Sequence, residues 1–146
     1  MSKSHLKSPW AVVAVLLGFI LQGSAFGEPD EREATEVRLV IESQLAAFAA
    51  DDAARAFSFA SPTIRHMFAT PDDFIAMVKS TYPVVYRHAS VLFMPFEYVE
   101  DVPIQIVQMS DAAGQVWLAL YKMQKQTDGS WRIDGCVVRP APSKSA

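Results

Sequence analysis

His66 is the side chain best suited to move a proton near neutral pH, because an unshifted imidazole titrates close to that range. Asp51 and Asp52 precede it and supply carboxylates that can orient an imidazole. Tyr82 and Tyr86 follow it and carry hydroxyls that can donate to a developing oxyanion. His66 as base, Asp51 as orienting acid and Tyr82 as donor are therefore the parts of an acid/base site for isomerisation or dehydration of a small apolar substrate. The same residues also have a structural reading, with His66 on the surface of a short helix and Asp52 as a helix cap.

Arg55 and Arg65 flank the turn Phe57-Ser58-Phe59-Ala60-Ser61-Pro62. Guanidinium groups bind carboxylates and phosphates in bidentate fashion, so the two can clamp an anionic ligand. Alternatively, one pairs with Asp51, Asp52 or Asp72 to fix a helix junction. Tyr86 and Trp131 are the aromatic candidates for ligand contact, with a core role as the alternative for Trp131. On Trp131-Arg132-Ile133-Asp134 the Arg and Asp share one strand face and can bond across a sheet. His88 is a lone histidine on a strand-like run, and no His-x-x-x-His spacing accompanies it, so no metal site is expected. No glycine loop for phosphates is present, and no cofactor is implied. Cys136 is the one cysteine, which excludes a disulfide within the chain; a buried structural thiol is expected, a bond between chains being the alternative.

The elements that must carry these groups follow from periodicity. Val37, Val40, Ile41, Leu45 and Phe48 recur at helical spacing and predict an amphipathic helix near 31–49. Asp52 caps a second helix with its body at Ala53 to Ala60. Ser61-Pro62 and Thr70-Pro71-Asp72-Asp73 are two further start signals, cap then proline. The last helix ends at Tyr82-Pro83. From Val84 the pattern changes to strand, first Val84 to Phe93. Met94 to Val102, with Glu97, Glu100 and Asp101, reads as a solvated loop or irregular edge. Strands follow at Ile104 to Met109, Val116 to Lys125 and Trp131 to Val138, with Asp128-Gly129 as a hairpin turn. Helices first and antiparallel strands second predict an α+β domain with helices on one sheet face. On the strand 116–125, Val116, Leu118 and Leu120 share one face and Trp117, Ala119, Tyr121 and Met123 the other. Both faces are apolar, so a homodimer through the uncovered sheet face is expected.

The 146 residues suffice for one domain. Lys3 and Lys7, the apolar run Trp10 to Leu21, and the small residues Ala25 and Gly27 before Glu28 have the pattern of a secretory signal peptide. The run is shorter than the roughly 20 residues of a spanning helix, so no permanent membrane anchor is expected. The expected organisation is a signal over 1–27, a single domain over 28–139 and a disordered tail over 140–146. Beyond the signal, about 11 basic and 16 acidic side chains leave a net charge of roughly −5. That charge argues against nucleic acid as a partner. It suits a soluble exported protein, periplasmic or secreted.

The helix followed by Phe48-Ala49-Ala50-Asp51-Asp52-Ala53-Ala54-Arg55-Ala56-Phe57, with strands ending Asp128-Gly129-Ser130-Trp131-Arg132-Ile133, resembles the nuclear-transport-factor-2-like, cystatin-like superfamily. Ala54 to Arg65, Tyr82-Pro83-Val84-Val85-Tyr86 and Asp128 to Cys136 further resemble the bacterial family known as domain of unknown function 4864. The resemblance covers about 40 to 138. It implies a cone, a curved antiparallel sheet wrapped round helices, and it implies no activity. The superfamily hosts isomerases, dehydratases, ligand binders and assembly domains, so fold does not determine function. Three readings stand on these grounds: a binding or accessory module with an apolar pocket for a small apolar ligand, an acid/base enzyme, and a dimerising interaction module without a pocket.

Overall fold

The computed structural model describes residues 29–143; the expected signal segment and the last three residues lie outside them. The first helix, α1 (Glu31–Ala49), starts at Asp30, whose carboxylate accepts from Glu33 N–H at 2.7 Å. Its buried stripe is Val37, Ile41, Gln44, Leu45 and Phe48. The start signals of the next three helices all operate. Asp52 caps α2 (Ala53–Ser58), Ser61 caps α3 (Pro62–His66), and Thr70 caps α4 (Pro71–Thr81).

Between α1 and α2 the chain turns through Asp51, at φ 53°. Asp51 N–H donates to Phe48 O at 3.0 Å and Asp52 N–H to Ala47 O at 2.8 Å. This is the paired closing pattern of a Schellman motif, with aspartate where glycine is usual. The strand expected from Val84 begins later. Pro83 opens a single turn, α5 (Pro83–Tyr86), and Val85 and Tyr86 N–H both donate to Tyr82 O. Val84, Val85 and Tyr86 are all buried there. Proline at the first helical position and burial against the other helices override the β propensity of the two valines.

The sheet has five antiparallel strands: β1 (Ser90–Phe93), β2 (Glu97–Val99), β3 (Val102–Ser110), β4 (Val116–Lys125) and β5 (Trp131–Pro140). The order is β1-β3-β4-β5, and β2 also pairs with β3 beyond the end of β1. The segment expected to be irregular thus contains a strand. Glu100 and Asp101, both at positive φ, form the tight turn from β2 into β3. At the break between β1 and β2, buried Gln105 donates to Met94 O at 2.6 Å and to Ile106 O at 2.9 Å. The final strand runs to Pro140, and Ala141 N–H still bonds to Val116 O at 2.9 Å.

Helices pack on one face of this curved open sheet, as an α+β fold. The core brings Val37, Ile41 and Phe48 against Val107, Ala119, Tyr121 and Met123. On β5 a bulge changes which residues face inward: Met123 pairs with Ile133 and Lys122 with Gly135, leaving Asp134 as the extra residue. Ile133 and Cys136 therefore both belong to the inner face, although they differ in parity.

Candidate functional site

The segment Phe59–Ser61 covers the free edge of β5. Ser61 N–H donates to Ile133 O at 2.8 Å, and Ile133 N–H donates to Phe59 O at 2.9 Å, a parallel bridge. Ser61 is fully buried; its Oγ accepts from Ile64 N–H at 3.2 Å and donates to Asp134 Oδ1 at 2.7 Å. Asp134 Oδ2 in turn meets Lys122 Nζ at 3.1 Å, and Arg132 Nη1 donates to Ser58 O. The Arg/Asp pair of β5 thus ties the chain from α2 to α3 to the sheet.

With that segment pinned, α1, α3 and α4 stand apart over the lower sheet and leave a cavity of about 340 Å³. Phe48, Phe74, Val78 and Val85 form its inner walls. Ile64, Met67 and Phe68 come from α3 and the turn after it, and Met67 is 69% exposed. Ile133, Tyr121 and Cys136 contribute from the sheet. Among the described residues no charged side chain lines it. The rings of Phe48, Phe57, Phe68 and Phe74 contact one another in tilted or edge-on pairs, which stiffens one side.

The polar groups are few. Gln44 is buried, and its Nε2 donates to Ala56 O at 3.1 Å. Tyr82, the residue that ends α4, is half-buried in the wall. Tyr121 is 1% exposed, and its Oη has no protein hydrogen-bond partner of proper geometry. Its cross-strand partner Cys136 lies close enough for each group to influence the other's ionisation. Burial, and then the neighbouring thiol, hold the Tyr121 pKa well above the ordinary value. Burial pushes the Cys136 thiol up to about 12, against the opposing contact with Tyr121. Both groups are therefore neutral near pH 7, and Cys136 is free of any disulfide.

Of the catalytic and ligand-binding candidates singled out by sequence, Tyr82 alone lines this cavity. His66 is exposed at the end of α3, and Arg55 and Arg65 are exposed on α2 and α3. Among the described residues neither arginine forms an ion pair, so the expected pairing with Asp51, Asp52 or Asp72 is not what fixes the junction. Arg87 does so instead. Its Nη2 reaches both oxygens of Asp51 at 3.0 Å, and its Nη1 donates to Phe48 O at 2.6 Å. The guanidinium also stacks 4.1 Å from the Tyr86 ring centroid, so Tyr86 and Asp51 both serve the end of α1. Asp52 is a cap through Arg55 N–H.

Trp131 lies elsewhere, buried edge-on against Phe96 and facing a larger, more open hollow of about 660 Å³ beside the start of α1, lined mainly by charged and polar side chains. Lys125 stands over its ring at 5.6 Å and pairs with Glu33. His88 Nδ1 is buried without a protein partner, and desolvation lowers the imidazole pKa. Among the described residues no group of three His, Cys, Asp or Glu side chains is placed to hold a metal ion, and no helix is long and apolar enough to cross a membrane.

Sequence reasoning missed Gln44, Tyr121 and Cys136 as one constellation. Gln44 had a signal: it is a polar residue on the apolar stripe of Ile41 and Phe48. Alternation groups Tyr121 with Trp117, Ala119 and Met123 on one face, but both faces of the strand are apolar and alternation does not say which is inner. Cys136 had no signal short of the bulge.

Neither the curated proteins nor the solved structures gave a match to the chain. The family model described as "Domain of unknown function (DUF4864)" matches residues 30–146, which span every helix and strand described above. The chain belongs to that family of domains of unknown function.

Proposed function

We propose that this protein is a binding or accessory module whose site is the apolar cavity between the helices and the sheet. The observation that carries this reading is the lining itself: a largely hydrocarbon hollow of about 340 Å³, open on one side, with Tyr82 and Gln44 among its few polar residues. Pockets that hold small molecules are commonly of about this size or larger, mostly apolar, with a few orienting polar atoms. At about 30 Å³ per water-sized group, the volume corresponds to roughly eleven non-hydrogen atoms. The acid/base alternative draws less support, because His66 and Asp51 stand outside the lining. A thermal-shift screen of the purified protein against small aliphatic and aromatic compounds tests the reading. A compound at about 100 times its Kd adds about 2.7 kcal/mol to stability. A screen in which nothing raises the melting temperature overturns it.

A second reading concerns the outer sheet face, where a homodimer is the proposed arrangement. Ile106, Leu120 and Val137 lie in register across three adjacent strands, with Leu120 38% and Val137 48% exposed. Leu92, 58% exposed, extends the patch on β1. Contiguous exposed apolar side chains on a sheet favour association. Light scattering decides it: a monomer mass at micromolar concentration removes the proposal, and Leu120→Glu should dissociate a dimer. The order of helices before a curved sheet, with a cavity between them, supports placing the family in the nuclear-transport-factor-2-like superfamily. The signal pattern at the N-terminus supports export to the periplasm or beyond.

A further inference from the structure

β5 stands at one side of the sheet, and among the described residues its outer edge is almost unpartnered. The bridge to Phe59–Ser61 covers it at Ile133 alone. Trp131 and Ile133 are buried, whereas every residue from Asp134 to Arg139 is at least partly exposed. The direction of the free groups follows from alternation. Ala141 N–H bonds to Val116 O, so Val137 and Arg139 also turn their backbone groups toward β4, and Cys136 and Val138 turn theirs outward. Pro140, the next outward position, has no N–H to leave unpaired. The opposite edge is blunted by its division into β1 and β2, of four and three residues. β5 is ten residues long, and its run Gly135-Cys136-Val137-Val138 carries no charge. Such an edge is a template for another strand.

The space beside this edge suits an apolar chain. Gly135 and Cys136 border the cavity of about 340 Å³, Val138 borders a neighbouring hollow of about 400 Å³, and Tyr82 lines both. Arg139, at the end of the uncharged run, is exposed and forms no ion pair among the described residues. We propose that β5 receives an extended peptide segment of a partner protein as an added antiparallel strand, bonded to the backbone groups of Cys136 and Val138. Residues opposite those two share their inward face, so the segment presents apolar side chains there and a carboxylate beside Arg139. The edge would accept such a strand even if no small molecule entered the cavity. A second copy of the chain fits it less well. Paired antiparallel over 136–138, the copy's β5 would run its C-terminal end into the place beside Ile133 that Phe59–Ser61 already occupies.

A fluorescein-labelled peptide Glu-Val-Thr-Val-Thr-Val-Glu, blocked at its ends, is the probe, and anisotropy reads its binding. In antiparallel addition its valines face inward and turn their N–H groups to β5. N-methylation of the valines should therefore weaken binding about tenfold or more, the worth of two backbone hydrogen bonds, and N-methylation of the threonines should not. Lysine in place of both glutamates should weaken it about threefold. Val138→Pro removes one outward N–H and leaves the β4 ladder intact, so it should weaken the parent peptide about fivefold. Equal losses from the two methylated peptides, a lysine-ended peptide that binds as tightly as the parent, or unchanged affinity in a folded Val138→Pro overturns the inference. So does a parent peptide that fails to bind at about 1 mM. Should Val138→Pro fail to fold, the peptide series on the wild type decides alone. A dimer that Val138→Pro dissociates would assign the edge to a second copy and overturn the proposal as well.

Discussion

Substituting Asp51 separates a backbone role from a chemical one. Asp51 sits at φ 53°, in the left-handed region that glycine occupies without strain, and it closes α1 through the Schellman bonds. Its carboxylate meets Arg87 at 3.0 Å, but the two side chains are 58% and 49% exposed. An ion pair so exposed contributes about 0.2–1 kcal/mol. The left-handed conformation costs a non-glycine residue about 1 kcal/mol. Asp51→Gly removes both, so its stability should lie within about 0.5 kcal/mol of the wild type. Asp51→Ala loses the ion pair and keeps the strain, so it should fall about 1 kcal/mol below the glycine variant. With a urea m-value near 2 kcal/mol/M, that gap is about 0.5 M in the midpoint. Salt at about 0.5 M should weaken the wild type relative to Asp51→Gly by screening the pair. If Ala and Gly variants unfold at the same urea concentration, the assignment of Asp51 as a left-handed cap is wrong. Ligand affinity should be unchanged in both variants, and its loss from a stably folded Asp51→Gly would return Asp51 to the list of chemical groups.

Ser61→Ala removes the α3 cap and leaves the half-buried Asp134 without its hydroxyl donor. A loss of about 2 kcal/mol in chemical denaturation is expected, and Ser61→Thr should recover part of it. Cys136 is half-buried rather than fully buried, and its raised pKa leaves little thiolate, so at pH 8 its thiol should react with an aqueous disulfide reagent more slowly in the native state than in denaturant; equal rates would contradict that cause. Its raised folded pKa, about 12 against 9.0, also sets the sign of a pH effect. The contribution is intact below pH 9 and is lost as pH rises toward 12, because the unfolded chain releases that proton first. Cys136→Ala should therefore lose less stability than the wild type between pH 8 and pH 11. His66→Ala, Arg55→Ala and Arg65→Ala replace exposed side chains outside the cavity, and each should stay within about 0.5 kcal/mol of the wild type. They should also leave ligand affinity unchanged; a tenfold loss in any of them would move the site to the α2–α3 surface.

The helical half was legible because its signals are local. Asp52, Ser61-Pro62 and Thr70-Pro71 act within three residues of where they stand, and each makes the cap bond that its chemistry predicts. The errors arise where distant packing decides. Val84 and Val85 have strand propensity, yet α1 and α4 provide a core that buries them as a helical turn after Pro83. The Glu100-Asp101 turn puts two acidic residues at positive φ, a conformation that sequence reading assigns to glycine and asparagine. Its strand β2 therefore reads from sequence as a loop or irregular edge rather than as a regular strand.

The site was less legible for a physical reason. Reactive residue types in a sequence attract attention in proportion to their charge, but charge is costly to bury. The stretch from Asp51 to Phe68 accordingly places its acids at helix ends and exposes its two arginines and its histidine, while its apolar residues Ala60, Ile64 and Phe68 turn inward as cavity wall and Met67 stands exposed at the rim. What remains inside is neutral: an amide, two phenols and a thiol. Their meeting depends on the bulge at Asp134-Gly135, because in an unbroken strand of the same sequence Cys136 would share the outward face of Arg132, away from Tyr121. The bulge also sets Asp134 where Ser61 can reach it, so one irregularity anchors the wall and aligns the floor. That double dependence makes β5 a more informative target than the histidine: deleting Asp134 should close the bulge with Ile133 still opposite Met123 and Cys136 still opposite Tyr121, so Cys136 should stay inward while Ser61 loses its acceptor and α3 loosens; a Cys136 that becomes freely reactive in the folded deletion variant would contradict the assignment of Asp134 as the extra residue.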